Sequence, residues 1–153
     1  MPDGGVISKL FGGGSRVTPL PRQFEGLVNI VNVFFAVGPG QPNMPEDVKV
    51  VQNLLHAIAL GQAGRTGVAA PQVTGHFDAA TGFWIFYLQS TLRGGGAGVV
   101  DGIVSPARGG AYFGGTPWFI AHLNAAAYKA NRTVFERFMN ACLTGSGGQE
   151  FGL

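Results

Sequence analysis

The side chains best suited to acid–base, thiol or metal chemistry in this 153-residue chain are eight carboxylates, three histidines and one cysteine. Glycoside hydrolysis needs two carboxylates held about 5 Å or about 6.5–9.5 Å apart, one of them with a raised pKa. Glu46, Asp47 and Asp78 stand just ahead of or within the first turn of helical patterns, where acids cap and complement the helix dipole. Asp101 belongs to an Asp-Gly turn, and Asp3 and Glu150 lie near the chain ends. Glu25 and Glu136 are left without a structural role, and nothing around either resembles a glycosidase site. Zinc hydrolysis would need closely spaced ligands, whereas His56, His76 and His122 are isolated from one another. Cys142, inside the apolar run 138–143, reads as a small buried hydrophobe. The glycine clusters lack the Gly-Lys-Ser/Thr ending of a phosphate loop, and no Ser/His/Asp signature is present. The expectation is a protein that is not an enzyme and carries no metal or cofactor.

The second chemistry-bearing feature is aromatic. Along Thr81 to Gln89, the residues Thr81, Trp84, Ile85 and Leu88 share one helix face, while Phe83, Phe86 and Tyr87 form another at i, i+3 and i+4 spacing. A helix apolar nearly all round must be covered on both sides. The expected cover is the N-terminal strand together with C-terminal helices carrying Trp118, Phe119, Tyr128, Phe135 and Phe138. The alternative is that Phe83, Phe86 and Tyr87 face a partner chain or stack on sugar rings.

The elements that must position these residues follow from punctuation and periodicity. Residues 1–24, broken by Gly4-Gly5, Gly12-Gly13-Gly14, Pro19 and Pro21, read as a flexible arm. Val28 to Val37 is rich in β-formers and reads as a short strand. Pro45-Glu46-Asp47 opens a helix over about 46–59, in which Val48, Val51, Leu54, Leu55 and Ile58 recur at helical spacing. Asp78 caps a second helix over 79–91. Ser105-Pro106 and Thr116-Pro117 read as further helix starts, the latter leading into a helix over 118–130. A last helix is expected over 134–143, followed by a loose tail from Gly145. The domain division is an arm (1–24), a domain (25–113) and a C-terminal helical extension with its tail (114–153).

Composition bounds the partners. Hydrophobic residues make up 46% of the chain and charged ones 12%, against a norm of about 25% charged, and the plentiful aliphatic and aromatic residues argue against simple disorder. So few charges fit either a compact Gly-rich monomer or a surface partly covered by another chain. The net charge is +2 and the basic residues are dispersed, with no stripe to track a nucleic-acid backbone. The longest apolar stretch, 27–37, is about half a membrane span and is interrupted by Asn29 and Asn32. No Sec signal core is read near Met1. The expected location is the cytoplasm until the protein is assembled or delivered to the cell envelope, including as part of a virion.

Three motifs in order carry a resemblance. Asp47-Val48-Lys49-Val50-Val51-Gln52-Asn53-Leu54-Leu55 resembles V-x-x-L/V-Q-x-x-L. Thr74-Gly75-His76-Phe77-Asp78-Ala79-Ala80-Thr81, with Ile85, Leu88 and Gln89, resembles D-G-x-F-G-x-x-T followed by V-x-x-F-Q. Val100-Asp101-Gly102-Ile103-Val104-Ser105-Pro106 resembles a second D-G-x-x-G-P turn. Together with the approach 37–43, residues 37–108 resemble the small peptidoglycan-binding domain found beside bacterial and phage cell-wall hydrolases. Thr74, Asp78, Ser105 and Arg108 depart from that pattern, mostly at turn positions. The resemblance implies a mainly α fold, with a compact three-helix core preceded by a strand and followed by the helical extension. It also implies non-catalytic binding of peptidoglycan, glycan or peptide, in a shallow groove with Gln52, His56, Tyr87 and Gln89 as candidate ligand residues. Gly75, Gly102, Asp101, Phe77 and Ile103 are expected to build the turns rather than touch ligand. The competing expectation is a structural or adaptor subunit of a phage tail or contractile injection assembly that meets the cell wall, with Phe83, Phe86 and Tyr87 as its partner face.

Overall fold

A computed structural model describes residues 16–60, 67–92, 100–108, 112–113, 116–144 and 151–152. The chain is mainly helical. An antiparallel hairpin, β1 (Val17–Phe24) and β2 (Leu27–Val31), leads to α1 (Pro45–Leu60) and α2 (Ala79–Leu92). A two-residue pair, β3 (Tyr112–Phe113) with β4 (Thr116–Pro117), precedes α3 (Phe119–Ala130) and α4 (Arg132–Thr144). Both long central helices lie within two residues of the limits that apolar periodicity predicts.

The hairpin corrects the reading of 1–24 as an arm: residues 1–15 lie outside the described residues, but 17–24 form a strand. The Asn32 N–H donates to the Arg16 carbonyl at 2.7 Å, which makes Arg16–Asn32 a hydrogen-bonded rung. In the alternation that follows, Val17–Val31 and Pro19–Asn29 are rungs without mutual bonds, so Pro19 forfeits no ladder donor. Pro21 lies in the stretch where the register shifts. Glu25 and Gly26, at φ 53° and 91°, supply the two left-handed positions of a type I′ turn.

Strand β2 stops at Val31, short of the expected Val37, because competing acceptors take the backbone. The Phe34 and Phe35 N–H groups donate to the buried Asp47 carboxylate at 2.9 and 3.1 Å, and Arg16 Nη1 joins them at 2.7 Å. Asp47 thus staples the loop to α1 rather than capping its own helix. Val37 rejoins a strand-like pairing as a single bridge to Val104.

The helix expected to open at Ser105-Pro106 does not appear over the described residues 105–108. Asn32 captures Ala107 from both sides: the Ala107 N–H donates to Oδ1 at 3.0 Å and Nδ2 donates to the Ala107 carbonyl at 3.1 Å. Those backbone groups are therefore unavailable to a helical turn. Thr116-Pro117 likewise belongs to β4, and α3 begins at Phe119, after Trp118 in an extended conformation. Asn131 ends α3 and starts α4, since its N–H bonds the Ala127 carbonyl while its own carbonyl accepts the Phe135 N–H.

One hydrophobic cluster runs from Leu27 to Phe151, so the C-terminal helices belong to the same core rather than forming an appendage. Helix α1 packs most extensively against α3, and α3 in turn packs against α4. The tail is anchored at Phe151, whose ring lies 5.4 Å from Phe138 and whose carbonyl accepts from the Asn53 amide at 2.9 Å. Trp84, Ile85 and Leu88 bury one face of α2 in this core. The other face is open: Phe83 is 39% and Phe86 55% exposed. The expected closure by the C-terminal helices does not occur, because their aromatic residues are used elsewhere. Phe119 and Phe138 join the buried cluster and the Tyr128 ring packs on Phe135 at 5.8 Å.

Candidate functional site: a groove between two glutamine-held turns

Equivalent glutamines on successive helices hold the two glycine turns. In α1, the Gln52 Oε1 accepts the N–H groups of Thr74 and Gly75, both at 2.9 Å. Its Nε2 donates to the His76 carbonyl at 2.9 Å and to Thr81 Oγ1 at 3.1 Å. In α2, the Gln89 Oε1 accepts the N–H groups of Asp101 and Gly102 at 3.1 and 2.7 Å. Its Nε2 donates to the Ile103 carbonyl at 3.0 Å and to Asp101 Oδ1 at 3.1 Å. Gly75 and Gly102 sit at φ 81° and 77°, the left-handed conformation that each turn requires.

The first residue of each turn also braces the third. The Thr74 hydroxyl accepts the His76 N–H at 3.1 Å, and Asp101 Oδ1 accepts the Ile103 N–H at 2.9 Å. Thr74 therefore does with a hydroxyl what Asp101 does with a carboxylate, which explains how the first turn forms without an aspartate. Gln52 and Gln89 are fully and almost fully buried, with both ends of each amide engaged. This corrects their assignment to a ligand surface: a buried amide with every partner supplied by the fold offers nothing to a ligand.

The first turn delivers Phe77 and Asp78 to the start of α2, where Asp78 Oδ1 accepts the Thr81 N–H at 2.9 Å and the Thr81 hydroxyl at 2.6 Å. Burial works to raise the Asp78 carboxyl, but the Thr81 hydroxyl and backbone bonds outweigh it and hold its pKa below the ordinary value. The second turn carries Asp101 and Gly102 to Pro39. Between these pieces lies a groove of about 540 Å³, walled by Pro39, Phe77, Phe83 and Phe86, with Asp78 and Asp101 contributing its charged groups. Gly82 forms part of its lining, where a Cβ would stand 3.3 Å from the Phe77 ring.

Phe83 is held rigidly. Its ring stacks on Tyr87 at 5.9 Å between centroids and meets the buried Trp84 edge-on at the same separation. Trp84 is itself fixed by its indole N–H, which donates to the Ala69 carbonyl at 3.0 Å. Tyr87 supports Phe83 and is half-buried; it does not line the groove. His56, also half-buried, lies 3.4 Å from the Pro71 carbonyl through Nδ1 and is likewise outside the groove. None of the four residues expected to bind ligand lines it, whereas Phe83 and Phe86 of the expected partner face do. The residues missed were Pro39, Phe77, Asp78 and Asp101, each of which has a turn or cap role that accounts for its presence. The available signal was that two turn carboxylates flank an aromatic helix in sequence.

The carboxylates left unassigned by sequence have surface partners. Glu25 pairs with Lys129, whose hydrogen bond and charge lower the Glu25 pKa, and Glu136 lies 3.2 Å from Arg132 on α4. Burial pushes the Cys142 thiol up to about 12, so it is not a nucleophile at neutral pH. Among the described residues, no group of three or more His, Cys, Asp or Glu side chains is placed to hold a metal, and no helix is long and apolar enough to cross a membrane. Comparison of the chain with protein-family models, with curated proteins and with solved structures found no match.

Proposed function

We propose that the protein is a non-catalytic binding module for bacterial cell-wall peptidoglycan, in which α1, α2 and the two glutamine-held turns form a unit of the peptidoglycan-binding type. The observation that carries this reading is the groove itself, in which two rigidly held turns bring exposed Phe83 and Phe86 together with two carboxylates. A concave, mostly apolar surface with a few fixed polar groups is the usual form of a ligand site. Exposed phenyl rings provide flat faces for the C–H surfaces of sugars and peptides. The test is co-sedimentation with purified, insoluble peptidoglycan. The protein should pellet with the wall material and release no soluble muropeptides. Protein that stays in the supernatant counts against binding. Muropeptide release lost in Glu25→Gln or Glu136→Gln counts against the non-catalytic role.

A second reading draws on the same exposed rings: a structural or adaptor subunit of a phage tail or contractile injection assembly. Phe86 at 55% exposure would then be a contact to another chain. Sedimentation velocity separates the two, since a binding module should run as a monomer and an assembly part should self-associate. Phe86→Asp should then abolish co-assembly without unfolding the monomer.

A further inference from the structure

The polar chemistry of the groove is one-sided. Among the described residues that line it, the ionisable side chains are Asp78 and Asp101, and no lining side chain is a hydrogen-bond donor. Both carboxylates are oriented by the fold through a single oxygen. Asp78 Oδ1 takes the two bonds from Thr81, and Asp101 Oδ1 takes those from the Ile103 N–H and from Gln89 Nε2. The two carboxylates give the groove a negative potential that favours a cation.

An occupant that suits this groove must supply donors and positive charge. The geometry points to a peptide bearing a free primary ammonium, which within the peptidoglycan reading is the diamino-acid residue of the stem peptide rather than the glycan strand. An ammonium has three donors and no acceptor, matching two acceptor-only carboxylates. Its alkyl stem packs on the rings of Phe83 and Phe86, and its charge is further favoured over an aromatic face. The glycan fits less well, because its acetylated amino sugars carry no positive charge to meet the two carboxylates. This inference rests on the cell-wall reading above and goes beyond it by assigning the part of the polymer that is held.

The test compares native insoluble peptidoglycan with the same material after its free amines have been N-acetylated, which removes the charge and leaves the glycan chain length unchanged. The full chain should sediment with native material and bind acetylated material at least tenfold more weakly. Asp78→Asn and Asp101→Asn, which retain the Oδ1 acceptor for cap and turn, should each reproduce the loss on native material while melting as folded proteins. Equal binding to native and acetylated material overturns the ammonium assignment while leaving wall binding intact. Binding to neither overturns the wall reading and this assignment with it. A dimer in sedimentation velocity that Phe86→Asp dissolves would show that a second copy of the chain fills the groove, and would also overturn it. The acetylation comparison decides the matter even where a variant fails to fold.

Discussion

The side-chain amide of Asn124 in α3 completes the outer edge of strand β2 at Val31. The Val31 N–H donates to Asn124 Oδ1 at 2.8 Å, and Asn124 Nδ2 donates back to the Val31 carbonyl at 2.9 Å. Both partners are fully buried, so one side chain replaces the neighbouring strand that this edge lacks. Asn124→Ala leaves a buried N–H and C=O unpaired, each costing about 1–3 kcal/mol. The urea midpoint should fall accordingly. An unchanged midpoint would show that water satisfies the edge and that the amide is dispensable.

Gln89 offers a sharper electrostatic prediction. Gln89→Glu exchanges an Nε2 donor for a carboxylate oxygen beside Asp101 Oδ1, which is 3.1 Å away in the parent. An uncompensated buried charge costs about 3–5 kcal/mol, so the variant should be strongly destabilised at neutral pH. Burial and the neighbouring Asp101 charge raise the pKa of the new carboxyl in the folded state. The folded state therefore binds a proton more readily than the unfolded one, and stability should return as pH falls toward about 4. Equal destabilisation of Gln89→Glu at pH 4 and pH 7 would contradict this.

The Asp78 cap should titrate in the opposite sense. Its folded pKa is lowered, so its contribution is fully present above the unfolded value of about 3.9 and is lost as pH falls through the folded value. Asp78→Ala should cost about 0.5–2 kcal/mol at neutral pH, the usual range for a lost N-cap. The gap between parent and variant in thermal melts should narrow below about pH 4. A gap that widens on acidification would show that the carboxylate is a liability to the fold.

Core and groove should separate experimentally. Leu55 is fully buried on α1, and Leu55→Ala should destabilise by about 2–5 kcal/mol. Phe86 is more than half exposed, and Phe86→Ala should change stability by no more than about 0.5 kcal/mol, as surface substitutions do. Its effect should appear in wall binding instead. Parallel urea titrations check the first pair of numbers, and a Phe86→Ala protein as unstable as Leu55→Ala would place that ring in the core.

Local physics made much of this protein legible from its residues. Apolar periodicity with a proline and acids at the start delimits α1, Asp78 marks the start of α2, and Gly75 and Gly102 mark left-handed turns because no other residue adopts that backbone as cheaply. The Thr81, Trp84, Ile85 and Leu88 positions identify the buried face of α2 for the same reason, since 3.6-residue spacing is a property of the helix alone. What only the tertiary structure decided were the choices made by long-range polar partners. Asn32 takes both backbone groups of Ala107 where Ser105-Pro106 favours a helix, and Asp47 ends β2 by taking the N–H groups of Phe34 and Phe35. Gln52 and Gln89 are polar residues that a sequence places on a surface, yet they are buried because turns far along the chain supply their partners. The exposure of Phe83 and Phe86 was also a tertiary outcome: α3 and α4 had α1, the hairpin and Phe151 to cover their apolar faces, and α2 was left with one face in the core and the other on the groove.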